Sequence, residues 1–217
     1  PERWEAAITL LTAHAQATED AVEAAVFETA AGELLEMRLE RGADALSRYL
    51  EAVSYDPGSL PARRALVRSA LAEGDWGAAL ESLEVLRERG AEAEVGVYMG
   101  LTADLQLATM GDAARGRELY DALVDRPNLT EWGLLGLADV AVFNEEQALL
   151  ASSLRRLSEL IEAGEGVAPL ALEAGRRLEA LSEDEAAAAC YERATDQSDE
   201  LAHMARDGLA RLVQRQG

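Results

Sequence analysis

His14 and His203 are the only imidazoles in the 217 residues, and they stand near opposite ends of the sequence. Cys190 is the single thiol. Zinc and most transition metals need nitrogen and sulfur ligands clustered at short spacing, and no His-x3-His, His-Glu-x2-His or Cys pair occurs. A nucleotide would need a glycine loop whose backbone amides cradle phosphate; neither Gly-x4-Gly-Lys-Ser/Thr nor Gly-x-Gly-x2-Gly is present. The Gly-x-Ser-x-Gly elbow that presents a nucleophilic serine is missing too. The acidic runs Glu183-Asp184-Glu185 and Asp196 to Glu200 are the remaining candidates for chemistry. They lack the spacing of a calcium loop and sit where helices begin, so they read as caps that oppose the helix dipole. Cys190, beside Tyr191 on a helix face, reads as a small buried apolar residue rather than a reactive thiol. These residues assemble no catalytic group, no metal site and no cofactor site, so the expectation is a protein that is not an enzyme.

The elements that would position any site are helices. Ala, Leu, Glu and Arg dominate, aromatic residues make up only 5%, and Phe occurs twice, at Phe27 and Phe143. Forty-one acidic residues face twenty basic ones for a net charge of -21, which disfavours phosphate backbones and anionic lipid surfaces as partners. Every basic residue is Arg. A GC-rich codon bias of bacterial type accounts for this, with adaptation to high salt as the alternative. No run of about 18 apolar residues predicts a membrane span. The sequence starts at Pro1 without Met or a signal-like segment, and so reads as a processed piece of a longer protein whose compartment, cytoplasmic or periplasmic, is unknown.

A repeated grammar organises the chain. Gly74-Asp75 ends one helix and caps the next, after which Ala79, Leu83 and Leu86 fall on one helical face. Gly111-Asp112 is followed by Gly116, Tyr120 and Leu123; Gly42 by Ala45, Tyr49 and Ala52; Ser182-Glu183-Asp184 by Ala187, Tyr191 and Ala194. The small or apolar residues that open each second helix are Ala7, Ala45, Ala79, Gly116, Leu150 and Ala187, at intervals of 38, 34, 37, 34 and 37 residues. A period of this length is that of a stacked helix-pair array.

The pattern resembles the tetratricopeptide repeat. Ala45-x3-Tyr49-x2-Ala52-x4-Pro57 matches the second half of that motif with Tyr in place of Phe, and Trp132-x2-Leu135-Gly136 matches the first half. Ala30-Ala31-Gly32 and Ala174-Gly175 look like the small-residue site where paired helices touch. No unit carries the full signature, and Asp139 stands where an apolar residue is usual. Trp132 falls at the family's buried Trp, and Trp76 is expected to pack at an inter-helix corner. Trp4 and Ile8 belong to a second helix whose partner would lie upstream, which predicts that both are exposed. The resemblance implies an all-α, right-handed superhelical solenoid. Its units would be a half unit over 1–18, then 19–58, 59–92, 93–128, 129–166 and 167–199, with a capping helix over 200–217, all within one repeat domain.

By the same resemblance, the first helix of each pair lines a concave wall, generally a binding surface for a peptide or a helix of another protein. The positions it places there include Arg64, Arg68 and Leu71, then Tyr98, Leu101, Leu105 and Ala108, then Gly133, Leu137 and Val140, and last Leu172, Arg176 and Glu179. Of these, Arg64, Arg68, Tyr98, Leu101, Leu105, Leu137 and Arg176 are the candidate groove residues. Arg64 and Arg68 stand one turn apart, so both could fork onto one carboxylate of a partner; the competing expectation is that they pair with the protein's own Glu residues. Tyr98, Leu101 and Leu105, at helical spacing, suit a core as well as a groove. The expected function is therefore a protein-interaction scaffold or adaptor with a protein or peptide partner. The alternative is a structural spacer that self-associates through exposed ends or packs on the rest of its parent chain.

Overall fold

The structure, a computed structural model, describes residues 2–161, 166–195 and 199–216. Twelve helices and no strand occur among the described residues. In chain order they are α1 (Glu2–Ala17), α2 (Ala21–Leu39), α3 (Gly42–Tyr55), α4 (Leu60–Glu73), α5 (Trp76–Arg89), α6 (Glu92–Ala108), α7 (Ala113–Val124), α8 (Thr130–Phe143), α9 (Gln147–Leu160), α10 (Val167–Ala180), α11 (Asp184–Thr195) and α12 (Asp199–Gln216). The acidic run from Asp196 lies partly outside the described residues.

Five turns join a first helix to its second helix, and one backbone device makes all five. Glu40, Gly74, Gly111, Glu145 and Ser182 each adopt the left-handed conformation, with φ of 55, 76, 66, 59 and 63°. Their spacing is 34, 37, 34 and 37 residues, the interval read from the second-helix anchors. A left-handed residue reverses the chain within a turn, so within the units the packed pairs α2–α3, α4–α5, α8–α9 and α10–α11 run antiparallel. Asp75 then caps α5 through the Ala78 amide at 3.1 Å, and Asp112 caps α7 through the Arg115 amide at 3.0 Å. The Glu145 turn, spanning Asn144 to Glu146, is one residue longer than the Gly74 turn.

The chain divides into two compact units, Pro1–Leu105 and Gln106–Gly217. In the first, α1 packs on α2, α2 on α3, α3 on α4 and α4 on α5, and α2 also touches α4. One core there joins Leu35, Ala45, Tyr49, Ala65 and Leu66; another joins Val67, Ala79, Leu83, Leu86, Tyr98 and Leu105. In the second unit each helix from α7 to α11 packs on the next, and α10 also touches α12. Its largest core gathers Ala171, Leu178, Ala187, Cys190, Tyr191, Ala205 and Leu212.

Tyr rings pack directly against glycines of neighbouring helices. Tyr49, Tyr120 and Tyr191, each on a second helix and 71 residues apart, are fully buried. A side chain at Gly175 would come within 2.7 Å of the Tyr191 ring, and one at Gly208 within 2.6 Å. Gly32 stands in the same relation to Tyr49, and Gly136 to Tyr120. At Tyr191 two first helices, α10 and α12, thus approach opposite edges of one ring, which only residues without Cβ permit.

Two expectations at the N-terminus are corrected. Trp4 is half-buried, stacked between the guanidinium groups of Arg3 and Arg38 at 5.6 and 5.4 Å. Ile8 packs against the core around Leu35 and Tyr49 rather than lying bare. The α2 helix, downstream of α1, covers part of both.

Candidate functional site

The first helices expose a narrow arc because neighbours cover them on two sides. On α4, residues 62, 63, 65–67, 69 and 70 are buried while Arg64 and Arg68 reach solvent. On α8 the exposed row is Glu131, Leu135, Asp139 and Val142. Gly133, Leu137 and Val140, assigned by resemblance to the wall, are buried instead.

Arg64 donates through Nε to the Tyr98 hydroxyl at 3.0 Å and through Nη2 to Glu94 at 2.7 Å. Arg68 forks onto Glu36, with Nε to Oε1 at 2.9 Å and Nη2 to Oε2 at 2.7 Å. The Tyr49 hydroxyl donates to the same Glu36 carboxylate at 2.8 Å. These bonds, the Arg68 fork first, hold Glu36 below the usual carboxylate range. Both arginines of the expected carboxylate anchor are therefore occupied by the protein's own carboxylates, from α6 and α2.

The arrangement recurs in the second unit. Glu179, buried on α10, accepts the Tyr191 hydroxyl at 2.6 Å and a two-pronged contact from Arg211, at 3.1 and 2.9 Å. Arg215 adds a third cationic contact at 3.2 Å. The Arg211 hydrogen bonds, with help from Tyr191 and Arg215, depress its carboxyl to about 2 despite burial. Each cluster ties consecutive first helices together, α2 to α4 and α10 to α12.

The remaining candidates divide by burial. Leu137 is 3% exposed and buried in the second unit, while Tyr98 and Leu105, each 8% exposed, belong to a core of the first unit. Leu101 is half-buried against that core. Arg176 is exposed and donates to the Met204 Sδ at 3.5 Å. Trp76 lies over the Gly74 turn, partly exposed, and Trp132 is half-buried. Burial pushes the Cys190 thiol up to about 11, as suits an inert core residue.

Sequence reading passed over α2. Its outward face carries Val22, Val26 and Met37, exposed by 59, 57 and 62%. An open groove of about 260 Å³ between α2 and α4 is lined by Val26, Thr29, Ala30, Glu33, Ser59 and Pro61. The i, i+4, i+8 series Val22, Val26, Ala30 was the available signal, but α2 is apolar around most of its circumference and the series does not stand out. A larger cleft of about 530 Å³ lies between α1 and α3 over Leu35. Its charged groups are mutually satisfied: Arg41 bridges Glu5 and Asp44, and Arg48 meets the buried Glu28. Among the described residues no group of His, Cys, Asp and Glu could hold a metal ion, and no helix is long and apolar enough to cross a membrane.

No family model and no curated protein matches this sequence. Among solved structures, a tetratricopeptide repeat protein from Parabacteroides merdae is similar, with a TM-score of 0.51 at 14% identity over 94% of this chain and 99% of that one. At that identity the likeness is one of fold: the chain is an all-helical array of tetratricopeptide-like helix pairs.

Proposed function

We propose that this chain is a protein-interaction scaffold that receives a peptide or helix of a partner along the face of its first helices, and that it catalyses nothing. One observation carries the reading. Among the described residues, nine of the fifteen exposed large apolar side chains lie on first helices, counting α12: Val22, Val26, Met37, Val97, Leu135, Val142, Phe143, Met204 and Val213. Apolar surface gathered on one class of helix is what an interface leaves in a free chain. The fold is one in which stacked pairs present such a face, which suggests protein partners in general.

Within the reading, Arg64, Arg68, Leu101 and Arg176 meet the partner, while Tyr98, Leu105 and Leu137 set the groove from beneath. The arginines act as a structured polar rim, since a partner carboxylate would have to displace Glu94 or Glu36. The test is affinity capture from a lysate of the organism of origin. The bait is the wild-type chain beside a Val97→Glu, Leu135→Glu variant and a second-helix control, Leu50→Glu. Partners lost only by the first variant support the reading; partners kept by it remove binding from this face.

A structural spacer is the second reading, favoured by Leu10 on α1 and Val213 on α12, both largely exposed on terminal helices. Light scattering separates the two, because a stacking chain grows with concentration.

A further inference from the structure

We infer that the groove between α2 and α4 takes an apolar side chain of a positively charged partner segment, with Glu33 pairing the adjacent Lys or Arg. This rests on the scaffold reading and names the chemistry of what the scaffold binds.

The groove is apolar where it is open and polar only at one rim. Val26, Ala30 and Pro61 line about 260 Å³, enough for one or two aliphatic side chains, and Val22 extends the apolar row by a turn. The polar groups of the lining are spent internally. Thr29 turns its hydroxyl back to the Ala25 carbonyl at 2.7 Å, and Ser59 accepts the Ala62 amide as the cap of α4. Glu33 is the exception: it is exposed and has no hydrogen bond or ion pair among the described residues.

Charge decides the partner. Arg64 and Arg68, the cations next along the same face, are committed to Glu94 and to the Glu36 fork. An acidic segment would find no unpaired cation there and would meet Glu33 as well. Residues 1–105 carry 20 acidic groups against 9 arginines, a balance of 9 - 20 = -11, so a basic segment is drawn in and a second copy of this chain is repelled. The occupant is thus a Lys- or Arg-bearing segment with an aliphatic residue beside the charge.

Short fluorescein-labelled peptides test this by anisotropy at constant ionic strength. One alternates Leu with Lys, one replaces Leu by Ser, and one replaces Lys by Glu. The Leu/Lys peptide binds best, and Val26→Asp and Glu33→Gln each weaken it about tenfold, while Glu88→Gln, the same loss of charge on α5, leaves it unchanged. Val26→Asp is the decisive variant, because diffuse electrostatic attraction would be strengthened by an added carboxylate. Circular dichroism and melting curves confirm that each variant is folded, which exposed positions favour. Tighter or equal binding to Val26→Asp, equal loss in Glu88→Gln, preference for the Leu/Glu or Ser/Lys peptide, or no binding of the Leu/Lys peptide each overturns the inference. The capture experiment uses positions outside this groove. Loss of partners there with any of these peptide results leaves the scaffold standing and removes only the assigned chemistry.

Discussion

The Tyr191 hydroxyl donates to the Glu179 carboxylate across 2.6 Å, from the middle of one helix pair to the seam where α10 meets α12. Tyr49 and Glu36 repeat the relationship at 2.8 Å, with Arg68 in the place of Arg211. In each case a ring that must be buried for packing carries its polar end to a carboxylate that guanidinium groups already hold. Removing the hydroxyl leaves that carboxylate its cationic partners. Tyr191→Phe and Tyr49→Phe should therefore each cost only about 1 kcal/mol, read from urea unfolding midpoints.

The glycines against those rings are far less forgiving. Gly175→Ala places a methyl within 2.7 Å of the Tyr191 ring, which the opposite glycine, Gly208, leaves no room to accept. A loss of about 2–3 kcal/mol is expected. Gly77→Ala, on the exposed start of α5 with only ordinary contact to Asp75, should instead stabilise by up to about 1 kcal/mol. Thermal melts of the two variants should move in opposite directions.

Three of the left-handed turns, at Glu40, Glu145 and Ser182, carry the wrong residue for their backbone. Ser182 and Glu145 hold φ of 63 and 59° where Gly74 and Gly111 do the same without a Cβ. Ser182→Gly and Glu145→Gly should each raise stability by about 1 kcal/mol, and Gly74→Ala should lower it by a similar amount. A single series of melts on these three variants checks the assignment.

Acid acts on the two buried carboxylates with opposite signs. The folded-state pKa of Glu179 is depressed to about 2, so its contribution is complete above the ordinary carboxylate value and is lost as pH falls toward 2. Glu28 is raised, chiefly by burial, so the folded state favours its protonated form and gives up stability as pH climbs through that raised value. Stability measured against pH should show Glu179→Gln flattening the acid limb. Glu28→Gln should reduce the loss on the way up to neutrality, and a steeper loss would contradict the burial assignment.

Cys190 is 3% exposed and its thiol is pushed up to about 11. A water-soluble thiol reagent at neutral pH should leave the folded chain unlabelled and modify it fully in denaturant. Rapid labelling of the folded chain would place Cys190 in a site that opens.

The helix pairs were legible in the sequence because their signals are local. Gly74-Asp75 and Gly111-Asp112 specify a turn from adjacent residues, and the series Ala79, Leu83, Leu86 specifies a buried stripe from one helix alone. Even the Glu145 and Ser182 turns, without glycine, fall where the period places them. Which side chains the first helices expose was not legible in the same way. Whether Leu137 or Leu135 meets solvent depends on how α8 is rotated between its neighbours, and an arc buried from two sides leaves no simple polar stripe to read. Arg68 and Glu36 are 32 residues apart, each with other opposite charges nearer in sequence, and only the packing of α2 on α4 selects that pair. Local chemistry thus decided where the helices begin and end, while the fate of each exposed charge and apolar side chain was decided by which neighbour the stacked array brought within reach.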